Sequence, residues 1–139
     1  MCMALYVASD KPLSLIPWRA DAPAFHVAEL KPTQESIRNQ FTHLYVYYVG
    51  GHEGCGCPFN YGREYPEHDV DPVELSAAHE CVARLSDFVH VSGVMQIYAC
   101  QFGDEHQPRE SDRVITPQQL RASEFVFKNR QLLDVQHAA

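Results

Sequence analysis

Side chains that can bind metal ions or act as nucleophiles are concentrated in one short segment, residues 50–57. It contains four glycines and the polar residues His52, Glu53, Cys55 and Cys57. Glycines permit positive φ angles and allow backbone N–H groups to approach a ligand closely. This combination is unusual in a simple connection, so the segment is the candidate functional site of the chain.

Binding of a soft metal ion is the first interpretation of this segment. Cys55 and Cys57 are one residue apart and can bind the same ion, and His52 could add a nitrogen ligand. Zinc is the first candidate because it accepts thiolate and imidazole ligands in tetrahedral geometry. A closed structural site needs a fourth ligand, and the chain has no second CxxC-type pair. The fold would have to supply that ligand, and the possible donors are Glu53, His68, Cys2 and Cys100.

Thiol redox chemistry is the second interpretation of the same residues. Cys55 lies among glycine N–H groups that can stabilise a thiolate, and Cys57 could resolve a mixed disulfide or a sulfenic acid. A disulfide between the two would be strained, and strained disulfides are oxidising and labile. The spacing therefore suits a redox role better than a structural disulfide.

A nucleophilic reaction, hydrolysis or acyl transfer, is a further interpretation. Cys55 or Cys57 would be the nucleophile with His52 as its base, but residues this close in sequence rarely reach each other with correct geometry. Another histidine, such as His26 or His68, would have to serve. Whether the chain is an enzyme stays open at this point.

The segment also has a purely structural interpretation. The glycines would form a tight turn, and Cys55 and Cys57 would pack as small apolar side chains, as free cysteines readily do. Cys81 falls on the apolar stripe of a predicted helix and Cys100 falls within a predicted strand. Both are expected to be packing residues.

The composition predicts one globular domain over residues 1–139. Hydrophobic residues make up 45% of the chain and charged residues 21%, and there is no low-complexity segment. A chain of this length buries about 68% of its unfolded surface, which is enough for a core that needs no disulfides. Five cysteines are an odd number, so we expect free thiols and a cytoplasmic protein.

The charge and hydropathy patterns exclude two classes of partner. The net charge is -7 and the basic residues are scattered, so nucleic acid is not an expected partner. The longest apolar runs are far shorter than the roughly 20 residues that cross a bilayer, so no membrane span is predicted. The N-terminal segment lacks a basic region, which argues against a secretory signal.

The candidate site must be positioned by a strand before it and a long helix after it. Residues 44–49 are all β-branched, aromatic or leucine, which predicts a strand in the middle of a sheet. Asp71 as the cap and Pro72 at the first helical position predict a helix that runs to about His90. Gly93 marks its end.

The rest of the pattern predicts further strands, a short helix and a hairpin. The strands cover residues 2–8, 25–30, 94–102 and 114–115, the short helix follows Thr33, and the hairpin joins residues 125–127 to 132–135. We predict an α/β fold, with α+β possible. Its sheet is mixed, mainly parallel and of about five strands, with one long helix and one or two short helices. Residues 50–57 then follow the carboxyl end of a strand, where open α/β sheets bind ligands.

A second functional hypothesis belongs to a different class. The chain would be a non-catalytic protein-binding or regulatory domain in which Cys55 and Cys57 are structural. It would meet a protein partner, or a second copy of itself, through its acidic surface, a sheet edge, or the loop around Trp18. An exposed, reactive Cys55 would favour the thiol-centred site, and buried inert thiols would favour this alternative.

Overall fold

The computed structural model describes residues 3–21, 25–51, 59, 71–122 and 125–137. Six strands lie in this part of the chain: β1 (Met3–Ser9), β2 (His26–Glu29), β3 (Tyr45–Gly50), β4 (Gln96–Gln101), β5 (Ser111–Ile115) and β6 (Gln131–Val135). One α-helix, α1 (Pro72–Ser92), and two 3₁₀ helices, η1 (Pro32–Gln40) and η2 (Pro117–Arg121), accompany them. The predicted mixed α/β class is confirmed.

The six strands form one mixed sheet in the order β2-β3-β1-β4-β6-β5. The pairs β2–β3, β3–β1, β1–β4 and β4–β6 are antiparallel, and only β5–β6 is parallel. The prediction of a mainly parallel sheet is therefore wrong, because four of the five strand pairs are antiparallel. The described residues form six strands, where about five were predicted. The mixed character of the sheet, the long helix and the short helices are as predicted.

The physical reason for this error is the position of β1. Strands β3 and β4 both run antiparallel to β1 and therefore run parallel to each other, and α1 belongs to the connection between them. However, β1 lies between them, so the two parallel strands never pair. The result is a split β-α-β arrangement. The carboxyl ends of β3 and β4 still lie at the same end of the sheet.

The helix α1 begins and ends as predicted. The Asp71 carboxylate accepts a hydrogen bond from the Val73 N–H (2.8 Å), and Gly93 adopts a left-handed conformation with φ of 72° at the end of the helix. Its buried side chains lie on one stripe and pack against one face of the sheet: Ala78, Cys81, Val82, Leu85, Phe88 and Val89. The Ser86 hydroxyl donates to the Pro117 carbonyl (2.8 Å) and so fixes η2 to this helix.

The helix η1 covers part of the opposite face of the sheet. Its Ile37 is fully buried, and Phe41, which follows it, is 9% exposed, so the predicted inward stripe is confirmed. The turn is a 3₁₀ helix that begins after Lys31, where the Gln34 side chain accepts from the Lys31 N–H. This short helix connects β2 directly to β3, and the two strands pair as antiparallel neighbours.

The predicted hairpin between residues 125–127 and 132–135 is wrong. Residues 125–127 form no strand, and Phe125 and Phe127 pack into the core on the α1 side, with ring centroids 5.0 Å apart. The second half of the prediction corresponds to β6, which pairs with β4 and β5. None of the described helices is both long and apolar enough to cross a membrane.

Candidate functional site

The predicted site residues His52, Glu53, Cys55 and Cys57 lie outside the described residues, as do the possible ligands His68 and Cys2. The nearest described residues on either side of residues 52–58 are Gly51 and Phe59, and both are buried. The Phe59 ring packs against Phe127 with a centroid distance of 6.0 Å. Gly51 directly follows β3, so the end of the sheet where β3 stops is the described region next to these residues.

At this end of the sheet, a row of residues crosses four strands on the η1 side. His26 of β2 pairs with Gly50 of β3, and Ala4 of β1 pairs with Cys100 of β4. Leu5 pairs with Val49, so the same register makes Ala4 and Gly50 neighbours. The row thus contains an imidazole and a thiol, separated by two of the smallest residues.

The His26 ring lies directly against Gly50. A Cβ atom at position 50 would be 2.0 Å from Cε1 and 2.4 Å from Nε2 of His26, so no larger residue leaves room for the ring. His26 is only 7% exposed, and its ring also contacts Tyr48 (centroids 5.9 Å). The imidazole named above as a possible base is therefore held at the strand end that precedes residues 52–57.

The next row of the same face is aromatic. Tyr6 of β1 pairs with Tyr48 on one side and with Tyr98 on the other. The Tyr6 and Tyr48 rings meet edge to face at 5.7 Å, and Tyr98 meets Phe41 in the same way at 6.2 Å. The Tyr98 hydroxyl is buried and has no hydrogen-bond partner among the described residues.

Cys100 is free, 1% exposed, and part of this layer. Burial, with smaller contributions from the carboxylates of Glu105 and Asp104, raises the pKa of the Cys100 thiol to about 12. Burial also raises the pKa of Cys81, which is fully buried on α1. Both thiols are therefore protonated at neutral pH and are poor nucleophiles, in keeping with their predicted packing role.

Glu105 is a buried carboxylate whose charge acts on two residues of this layer, Tyr6 and Cys100. It is 7% exposed, and its two oxygens accept from the Gly103 N–H at 3.1 and 3.0 Å. Burial first, and Glu105 second, raise the pKa of Tyr6 well above its ordinary value. Neither Tyr6 nor Glu105 stands out in the sequence, because Tyr6 is an ordinary strand residue and Glu105 falls in a charged loop.

The described residues do not form a metal site by themselves. No group of three or more His, Cys, Asp or Glu side chains in this part of the chain could hold a metal ion. Trp18, the other residue singled out by sequence, is half-buried, and its indole Nε1 is buried without a hydrogen-bond partner among the described residues. The indole is therefore partly folded against the protein.

Comparison with known proteins adds no further constraint. The chain matches no protein-family model, no curated protein and no solved structure.

Proposed function

We propose that the protein is a thiol-centred metal-binding protein in which Cys55, Cys57 and His52 bind a soft metal ion, with zinc as the first candidate. Thiolate and imidazole are the ligands that zinc prefers in proteins, and the two cysteines are close enough in sequence to bind one ion. Thiol redox chemistry by Cys55 and Cys57 is the alternative use of the same segment, with Glu53 beside them.

The observation that carries the proposal is the contact between His26 and Gly50. Because residue 50 is a glycine, the buried His26 imidazole can lie against the end of β3. Gly50 is two residues before His52 in the chain. Neutral imidazole needs no deprotonation to bind a metal ion. His26 is therefore our preferred fourth ligand, although sequence analysis considered it only as a base.

Cys100 is the less suitable fourth ligand. A metal ion binds the thiolate, so the proton must leave first. Burial raises the pKa of Cys100 to about 12, and the nearby carboxylates of Glu105 and Asp104 act in the same direction. Binding at Cys100 would therefore have to overcome an environment that favours the neutral thiol.

Elemental analysis of protein purified without chelator or affinity metal tests this proposal. We expect close to one zinc ion per chain in the wild type and in the control variant Cys81→Ala. The Cys81 thiol lies on the opposite face of the sheet from Cys100. We expect loss of zinc in the Cys55→Ser/Cys57→Ser variant, and weaker retention against a competing chelator in His26→Asn. Metal-free protein with fast-reacting thiols at Cys55 or Cys57 would favour the redox alternative. Protein with neither bound metal nor fast-reacting thiols would overturn both the metal-binding proposal and the redox alternative.

A non-catalytic protein-binding domain is the second candidate function. It is favoured by the outer edge of β5, which has no neighbouring strand among the described residues. Four of its five residues, Ser111 to Val114, are exposed. Such an edge can pair with an extended segment of a partner protein. Thiols that stay unreactive until the protein unfolds, together with the absence of metal, would support this candidate.

A further inference from the structure

A surface groove lies where the chain leaves β2, forms η1 and enters β3. Its volume is about 280 Å³, and its walls carry Glu29 from β2, Glu35 and Arg38 from η1, and Leu44 and Tyr45 at the start of β3. The groove lies at the start of β3, at the opposite end of this strand from Gly50. It is therefore independent of the thiol-centred site proposed above.

The charges in this groove are not balanced. Arg38 Nε donates to Glu35 Oε2 at 2.7 Å, and Arg38 Nη1 donates to the Leu44 carbonyl at 3.3 Å, so the guanidinium is already engaged. Glu29 is exposed and forms no ion pair with the described residues. One negative charge is left over in the groove, on a chain whose net charge is -7.

The groove also offers apolar contact. The Leu44 side chain is 75% exposed, the highest value among the large apolar residues that flank the groove, and Tyr45 is half-buried beside it. Pockets for drug-sized ligands measure roughly 300–1,000 Å³, so this smaller groove suits a single long side chain. A side chain with an apolar stem and a cationic end matches both the apolar rim, formed by Leu44 and Tyr45, and the Glu29 carboxylate.

We propose that this groove binds an arginine side chain of a partner protein. The planar guanidinium presents several N–H donors at once and can bond to Glu29 while sharing the Glu35 carboxylate with Arg38. The aliphatic stem of the arginine would contact Leu44 and Tyr45. Lysine, a single point charge, would satisfy fewer of these acceptors.

Titration of the full chain with the peptide acetyl-Leu-Arg-Leu-amide tests the proposal, followed by calorimetry and by the amide resonances of Leu44 and Tyr45. The matched peptide contains citrulline, which keeps the shape of arginine and lacks its charge. We expect the arginine peptide to bind at least about fivefold more tightly than the citrulline peptide and to shift both resonances. Equal binding of the two peptides, or no binding, overturns the proposal.

Two glutamine variants separate the groove from the overall acidity of the chain. Glu29→Gln removes an exposed carboxylate that forms no ion pair with the described residues, so we expect the fold to stay intact. We expect about a fivefold loss of affinity for the arginine peptide. Glu80→Gln removes a carboxylate paired with Arg84 on α1 and changes the net charge equally. Unchanged affinity in Glu80→Gln supports binding of arginine in the groove, and an equal loss of affinity in both variants overturns this proposal.

Discussion

The His26 ring occupies the space that a side chain at position 50 would need: a Cβ there would lie 2.0 Å from Cε1 and 2.8 Å from Nδ1 of the ring. The two residues are paired across β2 and β3. The contact joins the outer strand to its neighbour at the end of the sheet from which residues 52–58 continue. Packing, and not backbone conformation, is what requires glycine here.

Gly50→Ala should therefore destabilise the protein by about 1–3 kcal/mol, because the added methyl group displaces a buried ring. Urea unfolding measures the loss. The double variant His26→Ala/Gly50→Ala removes the clash, so its loss should be clearly smaller than the sum of the two single losses. Additive losses would show that the ring and the glycine are not in contact.

Removal of the Tyr98 hydroxyl should leave the free energy of unfolding unchanged or raise it by up to about 1 kcal/mol. This hydroxyl is buried without a hydrogen-bond partner among the described residues. Tyr98→Phe therefore removes the desolvation cost of burying that hydroxyl. Tyr47→Phe is the matched control. The Tyr47 hydroxyl accepts from the Leu13 N–H (3.1 Å), and its loss should cost about 1 kcal/mol. A larger loss in Tyr98→Phe than in Tyr47→Phe would contradict this.

Stability should fall as the pH rises above about 9. Burial raises the pKa of Cys100 from 9.0 to about 12 and that of Tyr98 from 10.0 to about 12. Over this range the unfolded chain releases protons that the folded chain keeps, so the free energy of unfolding decreases with rising pH. Below pH 9 the folded and the unfolded chain both hold these protons, so the contribution of the two groups to the free energy of unfolding is fully present.

Urea midpoints measured between pH 7 and 10.5 test this dependence. We expect little change in the midpoint up to pH 8.5 and a progressive decrease above it. The decrease should be shallower in Cys100→Ala, which lacks one of the titrating groups. A midpoint that stays constant or rises from pH 9 to 10.5 would be incompatible with buried, neutral Cys100 and Tyr98.

The cap of α1 should contribute about 1 kcal/mol. Asp71→Ala removes the carboxylate that accepts from the Val73 N–H and leaves that donor unsatisfied. Asp71→Asn keeps an oxygen acceptor and should lose much less. Thermal or urea unfolding of the two variants compares them directly, and equal losses would mean that the charge, and not the hydrogen bond, matters at this position.

Local patterns predicted the elements of this fold well. The uninterrupted apolar run of β3 and the signals at Asp71 and Gly93 identified a buried strand and the two ends of α1. These signals depend on neighbouring residues alone: backbone propensity, capping and the periodicity of burial. Sheet order depends instead on the insertion of β1 between β3 and β4, which no short stretch of sequence records.

The surroundings of the candidate site were less predictable for the same reason. Residue types and spacing identified residues 50–57, but the pairing of His26 with Gly50 follows from strand register. The row formed by Tyr6, Tyr48 and Tyr98 likewise joins three strands that are distant in sequence. Glu105 belongs to a loop whose composition predicts exposure, and its burial depends on bonds to the Gly103 backbone.

The central position of β1 also determines when the sheet can form during synthesis. β1 is made before its two neighbours, and Met3 pairs with Gln101, close to the end of the second neighbour. All seven of its residues are buried in the folded protein, so until β4 has been made this apolar strand lacks one of its partners. Contacts between residues so distant in sequence slow folding, because long loops must close before the pairing stabilises them. We therefore expect a nascent chain released before residue 96 to aggregate, and the complete chain to form its sheet in one late step.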